Sequence, residues 1–238
     1  MHIFVKNITS TLLDFIFPPQ CFLCKRSGSV ICMTCLAALQ PLSIPRCQHC
    51  HTILTTKGTC RQCWEHPLRL SGLRTFSAYR GPLRTCIHAL KYEGRKQLAE
   101  PLGCLLAEAY TSYNLRTDIV LPVPLHTTRL QERGYNQSAL LAAVCARQLG
   151  IVYRDDLIIR QRPTRPQVGL SLQERSRNVT GAFQSTCIFT TGAFAKRRIL
   201  IIDDVCTTGS TIEACANALF AAGAHSIWGL VLARPDTG

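Results

Sequence analysis

Four CxxC pairs stand within the first 63 residues: Cys21/Cys24, Cys32/Cys35, Cys47/Cys50 and Cys60/Cys63. No other feature restricts the fold so tightly. A CxxC knuckle aims two sulfurs at one point, and two knuckles complete the tetrahedral set that zinc prefers. Seven residues separate the first two knuckles and nine the last two, so each loop is short enough to bring its own pair together. Sequential ligation puts one zinc on Cys21, Cys24, Cys32 and Cys35 and a second on Cys47, Cys50, Cys60 and Cys63; an interleaved cross-brace is the alternative. Disulfides fit poorly, because the N-terminus lacks the basic start of a secretory leader and Asn7, Thr9 and Asp14 interrupt its apolar character. No open coordination position is evident, so both zincs are structural. They let about 50 residues fold that could not build a core alone. His49 and His51 beside the third knuckle read as solvated loop histidines, with replacement of a cysteine ligand the alternative. The other six of the 14 cysteines (Cys86, Cys104, Cys145, Cys187, Cys206 and Cys215) show no pairing and read as small core residues.

Around this module the chain organises into three parts. Residues 1–19 read as a short amphipathic helix, with Phe4, Ile8, Leu12 and Phe15 on one face and Pro18-Pro19 ending it. The knuckles occupy residues 20–70, and a larger domain occupies 71–238. No apolar run approaches the ~20 residues that cross a bilayer, and the expectation is a cytoplasmic protein without a transmembrane segment. The formal charge is +13, which calls for an anionic partner. Two zinc–tetrathiolate sites at −2 each would lower it to +9, and most of that lies on residues 71–238.

From residue 71 the pattern alternates. Strands are expected at Phe76–Tyr79, Ile119–Val123, residues 151–159, Ile199–Ile202 and Ile227–Ala233. Helices are expected at Pro82–Lys91, residues 98–110, after Asn136 to a stop at Gly150, and from about Ile212 to Gly223. Such alternation implies an α/β fold with a parallel sheet covered on both faces. The strand Ile199–Ile202 ends in Asp203 and Asp204, which no core accepts unpaired. A loop of three threonines, one glycine and one serine follows (Thr207-Thr208-Gly209-Ser210-Thr211) and leads into a helix N-terminus, where an anion is favoured. Carboxylates suit sugar hydroxyls or a magnesium shell, and the loop suits phosphate. A phosphorylated sugar satisfies both. The lysine of a Walker motif and the glycines of a dinucleotide fingerprint are absent.

Residues 199–211 resemble the phosphoribosyl-pyrophosphate (PRPP) loop of type I phosphoribosyltransferases. From Cys21 onward the chain is similar to the ComF family, the competence proteins of naturally transformable bacteria and their relatives. The likeness rests on the knuckles together with LKYEGR (Leu90–Arg95), LPVPLHTTRLQERGYNQS (Leu121–Ser138), QVGLSLQERSRNV (Gln167–Val179) and IIDDVCTTGST. It implies a type I phosphoribosyltransferase-like sheet behind a double zinc-ribbon module, and a role in handling incoming single-stranded DNA during natural transformation. Competence-machinery proteins are further implied partners. Transfer of phosphoribose from PRPP to an unidentified base is the alternative activity. By the same resemblance Asp203 and Asp204 hold the ribose diol and form the catalytic pair, and Thr207, Thr208, Gly209, Ser210 and Thr211 hold the 5′-phosphate. Magnesium accompanies PRPP. The segment Pro122–His126, where the pyrophosphate loop belongs, is poor in N–H donors, so pyrophosphate binding leans on Arg129 and Arg133. Arg160–Asn178 matches the mobile loop that covers the site in the transferases. It reads as a lid, as a track for a nucleic-acid backbone, or as a solvated basic loop. The expected DNA contacts are Lys91, Arg95, Lys96, Arg160, Arg162, Arg165, Arg175 and Arg177, with Tyr92, Tyr135 or Trp64 as stacking platforms.

Overall fold

The computed structural model describes residues 18–39, 45–163, 172–190 and 195–235. The helix expected over 1–19 falls almost wholly outside them, as does Arg165. The chain divides into two compact units, Met1–Gln40 and Pro41–Gly238. In the first, an antiparallel bridge between Gln20 and Ser27 closes the turn that carries Cys21 and Cys24. Helix α1 (Met33–Ala37) starts directly after Cys32.

The second unit opens with a repeat of the same design. A bridge between Arg46 and Ile53 closes the turn of Cys47 and Cys50, and α2 (Arg61–Glu65) starts after Cys60. There follow β1 (Gly72–Ala78), α3 (Gly81–Tyr92), a 3-10 turn at Lys96–Leu98, α4 (Ala99–Ser112), β2 (Ile119–Pro122), α5 (Thr127–Arg133), α6 (Gln137–Leu149), β3 (Val152–Tyr153), β4 (Ile158–Arg160), α7 (Leu172–Val179), β5 (Phe183–Ser185), β6 (Arg198–Val205), α8 (Ser210–Ala221) and β7 (Ser226–Arg234). Five strands form one sheet in the order β1-β7-β6-β2-β3, and every neighbouring pair is parallel. This is the α/β, parallel-sheet fold that the alternation predicts.

The centre of the sheet explains the apolar run before the acids. Ile199, Leu200, Ile201 and Ile202 on β6 are each at most 1% exposed, because β7 and β2 flank the strand and helices cover its faces. Burial of each contributes about 1.5–3 kcal/mol. Helix α6 begins where Asn136 accepts the N–H groups of Ser138 and Ala139 and ends at Gly150 in the left-handed region. It lies close against α4: a Cβ on Gly103 would come within 2.5 Å of Val144. The stretch 151–159 is two strands rather than one. Val152–Tyr153 joins the main sheet, while Ile158–Arg160 pairs antiparallel with β5 in a separate hairpin.

Candidate functional site

The site is built where β6 runs out of the core. Asp204 is buried and Asp203 half-buried, and the first turn of α6 supplies what the charges need. Ser138 Oγ donates to Asp203 Oδ1 at 2.7 Å, and the same oxygen accepts the Asp204 N–H at 2.9 Å. Gln137 Nε2 donates to Asp204 Oδ1 at 3.3 Å. Lys91, from the last turn of α3, forms an ion pair with the other Asp204 oxygen. Burial and the Asp204 charge push Asp203 up to about 7, against the opposing pull of Lys91. Burial works against Asp204 as well, but the Lys91 ammonium outweighs it and holds Asp204 below the usual carboxylate range. The lysine's own charge is opposed by burial and favoured more strongly by both aspartates. The pair therefore carries one firmly ionised carboxylate and one that titrates near neutrality.

The motif RGYNQS fixes this arrangement residue by residue. Arg133 donates to Gln137 Oε1, so it stands behind the Gln137–Asp204 bond. Gly134 ends α5 in the left-handed region, which a side chain would resist. The Tyr135 hydroxyl donates to the Leu90 carbonyl, one residue before Lys91. Asn136 caps α6 and donates to the Val123 carbonyl, tying the helix to the segment after β2. On that segment the Val123 N–H is spent on Ile202 O at 2.9 Å, and Pro122 and Pro124 have none. His126 starts α5, with Nδ1 accepting the Thr128 N–H. The expected scarcity of backbone donors holds there.

Beyond the acids, the loop turns on Gly209 at φ +93, where a Cβ would lie 3.6 Å from Leu68 Cδ1. A small hollow of 20 Å³ is lined by Thr207, Gly209, Ser210 and Thr211 at the N-terminus of α8. Thr208 is placed differently. It is buried, its Oγ1 accepts the Ser210 N–H at 3.3 Å and contacts the Ser210 hydroxyl at 2.7 Å, and it shapes the loop without lining the hollow. A cleft of 320 Å³ runs alongside, bringing together Lys91, Arg129, Arg133, Arg160, Asp203 and Asp204. Chemically, a helix N-terminus suits an anion, carboxylates suit hydroxyls, and the arginines suit further negative charge.

The described residues expected to contact DNA have different surroundings. Lys91 and Arg160 belong to this cleft; burial lowers the Arg160 pKa, and its guanidinium lies 5.3 Å from the Phe183 ring centre. Arg95 and Lys96 are exposed, with Lys96 Nζ 4.8 Å from the Tyr135 ring centre. Arg162 donates to the carbonyls of Asn178 and Thr180, which pins the chain beside the hairpin. Arg175 is partly buried on α7 and Arg177 exposed. Trp64 and Tyr92 are 82% and 63% exposed, whereas Tyr135 is buried. Sequence reasoning missed Gln137 and Ser138 as partners of the acids and gave Lys91 a different role. The available signal was position, since a helix first turn that follows a strand end in this order presents polar side chains to it.

The cysteines form two groups, Cys21/Cys24/Cys32/Cys35 and Cys47/Cys50/Cys60/Cys63, each with all four sulfurs within 4.8 Å of one another. The grouping is the sequential one. In both groups an N–H points at the first sulfur, from Cys32 to Cys21 at 3.4 Å and from Cys60 to Cys47 at 3.3 Å. Burial raises the Cys21 and Cys47 thiols, but such N–H groups more than offset it and bring both to about 6. Four converging sulfurs, two of them ready to ionise, fit zinc. These are structural zinc sites. His51 is not a solvated loop histidine. It is buried, its Nδ1 accepts the Thr75 N–H at 3.0 Å, and burial and nearby arginines lower it to about 3. His49 is exposed, as expected, and its carbonyl accepts the Leu73 N–H. Of the other cysteines, Cys86, Cys145, Cys206 and Cys215 are buried, while Cys104 and Cys187 are partly exposed.

Sheet order, acidic strand end and hydroxyl loop, together with two four-cysteine clusters, define a protein of type I phosphoribosyltransferase-like fold with a double zinc ribbon. The double zinc ribbon family matches residues 12–64. The chain is 31% identical over 220 residues to the DNA utilization protein YhgH of Salmonella typhimurium, covering 88% of this chain and 94% of that protein. It is 30% identical over 211 residues to competence protein F of Haemophilus influenzae, covering 85% and 90%. Competence protein ComFC of Bacillus subtilis is 26% identical over 216 residues, covering 86% and 84%. The chain belongs to the ComF family. Among solved structures it is similar to a glutamine PRPP amidotransferase from B. subtilis, with TM-score 0.41 and 19% identity, covering 61% of this chain and 30% of that one. An orotate phosphoribosyltransferase from Aeropyrum pernix gives TM-score 0.34 and 22% identity over 60% and 62%. Among the described residues no helix is long and apolar enough to cross a membrane.

Proposed function

We propose that this protein binds a PRPP-type phosphoribosyl ligand at the carboxyl end of its sheet and works on incoming single-stranded DNA in natural transformation. The observation that carries the ligand reading is the junction of β6 and α8, where two supported carboxylates lie beside a hydroxyl-lined hollow at a helix N-terminus. Thr207, Ser210 and Thr211 meet the 5′-phosphate. Asp203 and Asp204 accept the ribose hydroxyls. Arg129 and Arg133 face the pyrophosphate, and magnesium bound with it supplies further neutralising charge. The names of the H. influenzae and B. subtilis relatives support the competence setting, and those of the enteric relatives support a link to DNA.

Phosphoribosyl transfer is the second reading. It is favoured by Arg160 and Pro163, at the start of the lid-like segment, which line the same cleft as the acids. One experiment tests the binding reading. PRPP with magnesium is expected to raise the melting temperature, and the Asp203→Ala/Asp204→Ala double variant is expected to lose the shift. An equal shift in both proteins overturns the ribose assignment. Pyrophosphate release measured against a panel of bases separates transfer from binding alone.

A further inference from the structure

The main cleft does not end at the arginines. A second cavity of 260 Å³ continues from it, lined by Lys91, Tyr92, Gly94, Arg129, Glu132, Arg133 and Tyr135. Four of these, Lys91, Tyr92, Arg129 and Arg133, line both spaces. Its chemistry differs from that of the acid end. Tyr92 projects from the end of α3 with 63% of its surface exposed, which is a large apolar area to leave in water for a ring that no core needs. The Arg133 guanidinium lies 5.4 Å from the ring centre. On the neighbouring turn Lys96 Nζ sits above Tyr135. His88 also packs beside the Tyr92 ring, with 5.0 Å between ring centres, yet the ring keeps most of its surface exposed. A cation beside an exposed ring suits a nucleotide: the ring takes the base, and the guanidinium takes the phosphate.

We infer that the Tyr92–Arg133 cavity is the seat of a nucleotide unit of single-stranded DNA, and that the strand and the phosphoribosyl ligand compete for Arg129 and Arg133. This rests on the DNA and ligand readings above and adds the place where they meet. Two features argue for a strand rather than a small molecule. Gly94 lines the cavity and the next two residues, Arg95 and Lys96, are exposed cations, so a chain entering it has cations for its next phosphate. Its lining also includes none of the Thr207–Thr211 loop that lines the hollow at α8, and its cations are the long side chains of Lys91, Arg129 and Arg133, so it suits a passing backbone. Stacking on one tyrosine reads no sequence. Competition follows from geometry. Arg129 and Arg133 line both spaces, and two anionic ligands sharing those cations repel each other.

The test is fluorescence anisotropy of a labelled oligothymidylate at low salt, on the full-length zinc-loaded protein. Wild type is expected to bind, and Tyr92→Ala to weaken binding by about tenfold. Tyr92→Phe, which keeps the ring, is expected to restore it. Melting curves and zinc content establish that the variants are folded. Added PRPP with magnesium is expected to raise the apparent Kd for the oligonucleotide. If wild type binds and a folded Tyr92→Ala binds equally well, the cavity is not the DNA seat, whatever the DNA reading's fate. If PRPP raises the melting temperature but leaves DNA affinity unchanged, the two ligands do not share the arginines. If wild type binds no oligonucleotide, the DNA reading itself falls and takes this site with it.

Discussion

At the scale of single residues, burial and like-charged neighbours favour the uncharged form of both Asp203 and His51, which moves one pKa up and the other down. Asp203 is held up at about 7 by burial and by Asp204. The folded chain therefore keeps a proton that the unfolded chain loses from about pH 4 upward. Stability from this group is present at low pH and declines as pH rises toward 7. Asp203→Asn keeps the oxygen that accepts Ser138 and the Asp204 N–H but removes the charge. It is expected to melt higher than wild type at pH 8 and to lack the wild-type decline between pH 5 and pH 8, while losing the response to PRPP. Thermal melts at the two pH values check this; a parallel decline in both proteins contradicts it. His51 is pushed down to about 3 by burial and by Arg46, Arg74 and Arg234. Its unfolded form takes up a proton below about pH 6.5, so stability falls from there toward pH 3. The side chain also holds the buried Thr75 N–H, from a backbone at φ +61 that asparagine tolerates better than most residues. His51→Ala is expected to cost about 1–3 kcal/mol by leaving that N–H unpaired, and His51→Asn less. Urea unfolding at pH 7.5 measures both.

At the scale of elements, the second zinc ribbon is a cover for a sheet edge. Strand β1 is an edge of the sheet, and an edge strand offers unpaired N–H groups to any other chain. Here Leu73 N–H goes to His49 O and Thr75 N–H to His51 Nδ1. Arg74 reaches the Gln48 carbonyl at 2.9 Å, and Arg234, on neighbouring β7, reaches the Cys50 carbonyl at 2.7 Å. The chain leaving the ribbon then touches the loop before α8. Leu68 packs on the ribbon cysteines and on the main core, its methyls facing Gly209, and the Arg69 N–H meets Glu213 on α8. Leu68→Ala is expected to destabilise by about 1–2 kcal/mol, below the cost at a fully buried site, and to weaken PRPP binding. An unchanged PRPP affinity would separate the ribbon from the site. Much of this element structure is legible in the sequence. Four apolar residues announce β6, and Asn136 and Gly150 bracket α6. The misses have physical causes. Helix α5 (TTRLQER) carries a single apolar residue, Leu130, which is 42% exposed, so no periodicity marks it. The β4–β5 hairpin pairs residues more than twenty apart, with no turn signal joining them. Lys91 shows its charge in the sequence but not the Asp204 that neutralises it, and so reads as a surface cation.

At the scale of the whole molecule, the two units carry one four-cysteine site each but share the charge unequally. Residues 1–40 hold three basic and one acidic residue, a net +2 that one zinc–tetrathiolate cancels. Residues 41–238 hold +11, which the other zinc site lowers to +9. Any attraction for nucleic acid is therefore a property of the unit that carries the cleft. Cys21→Ser is expected to lose one zinc and leave the main melting transition in place, whereas Cys47→Ser is expected to lose one zinc and lower that transition, because the second ribbon belongs to the larger unit and covers its strand β1. A single strand lying along Lys96, Arg129, Arg133 and Arg160 would neutralise about four phosphates. The logarithm of affinity should then fall against the logarithm of salt with a slope near −3, or roughly 50-fold across a fourfold rise in salt. Replacing Lys96 and Arg129 together by alanine removes two of those contacts. It should weaken binding to all sequences alike and flatten the slope by about 1.4. Charge reversal at Arg177, exposed on α7 and outside the cleft, is expected to change neither slope nor affinity by more than a small factor. Anisotropy titrations at several salt concentrations distinguish the cases. A slope that responds to Arg177 and ignores Lys96 and Arg129 would move the DNA path from the cleft to the basic segment that begins at Arg160.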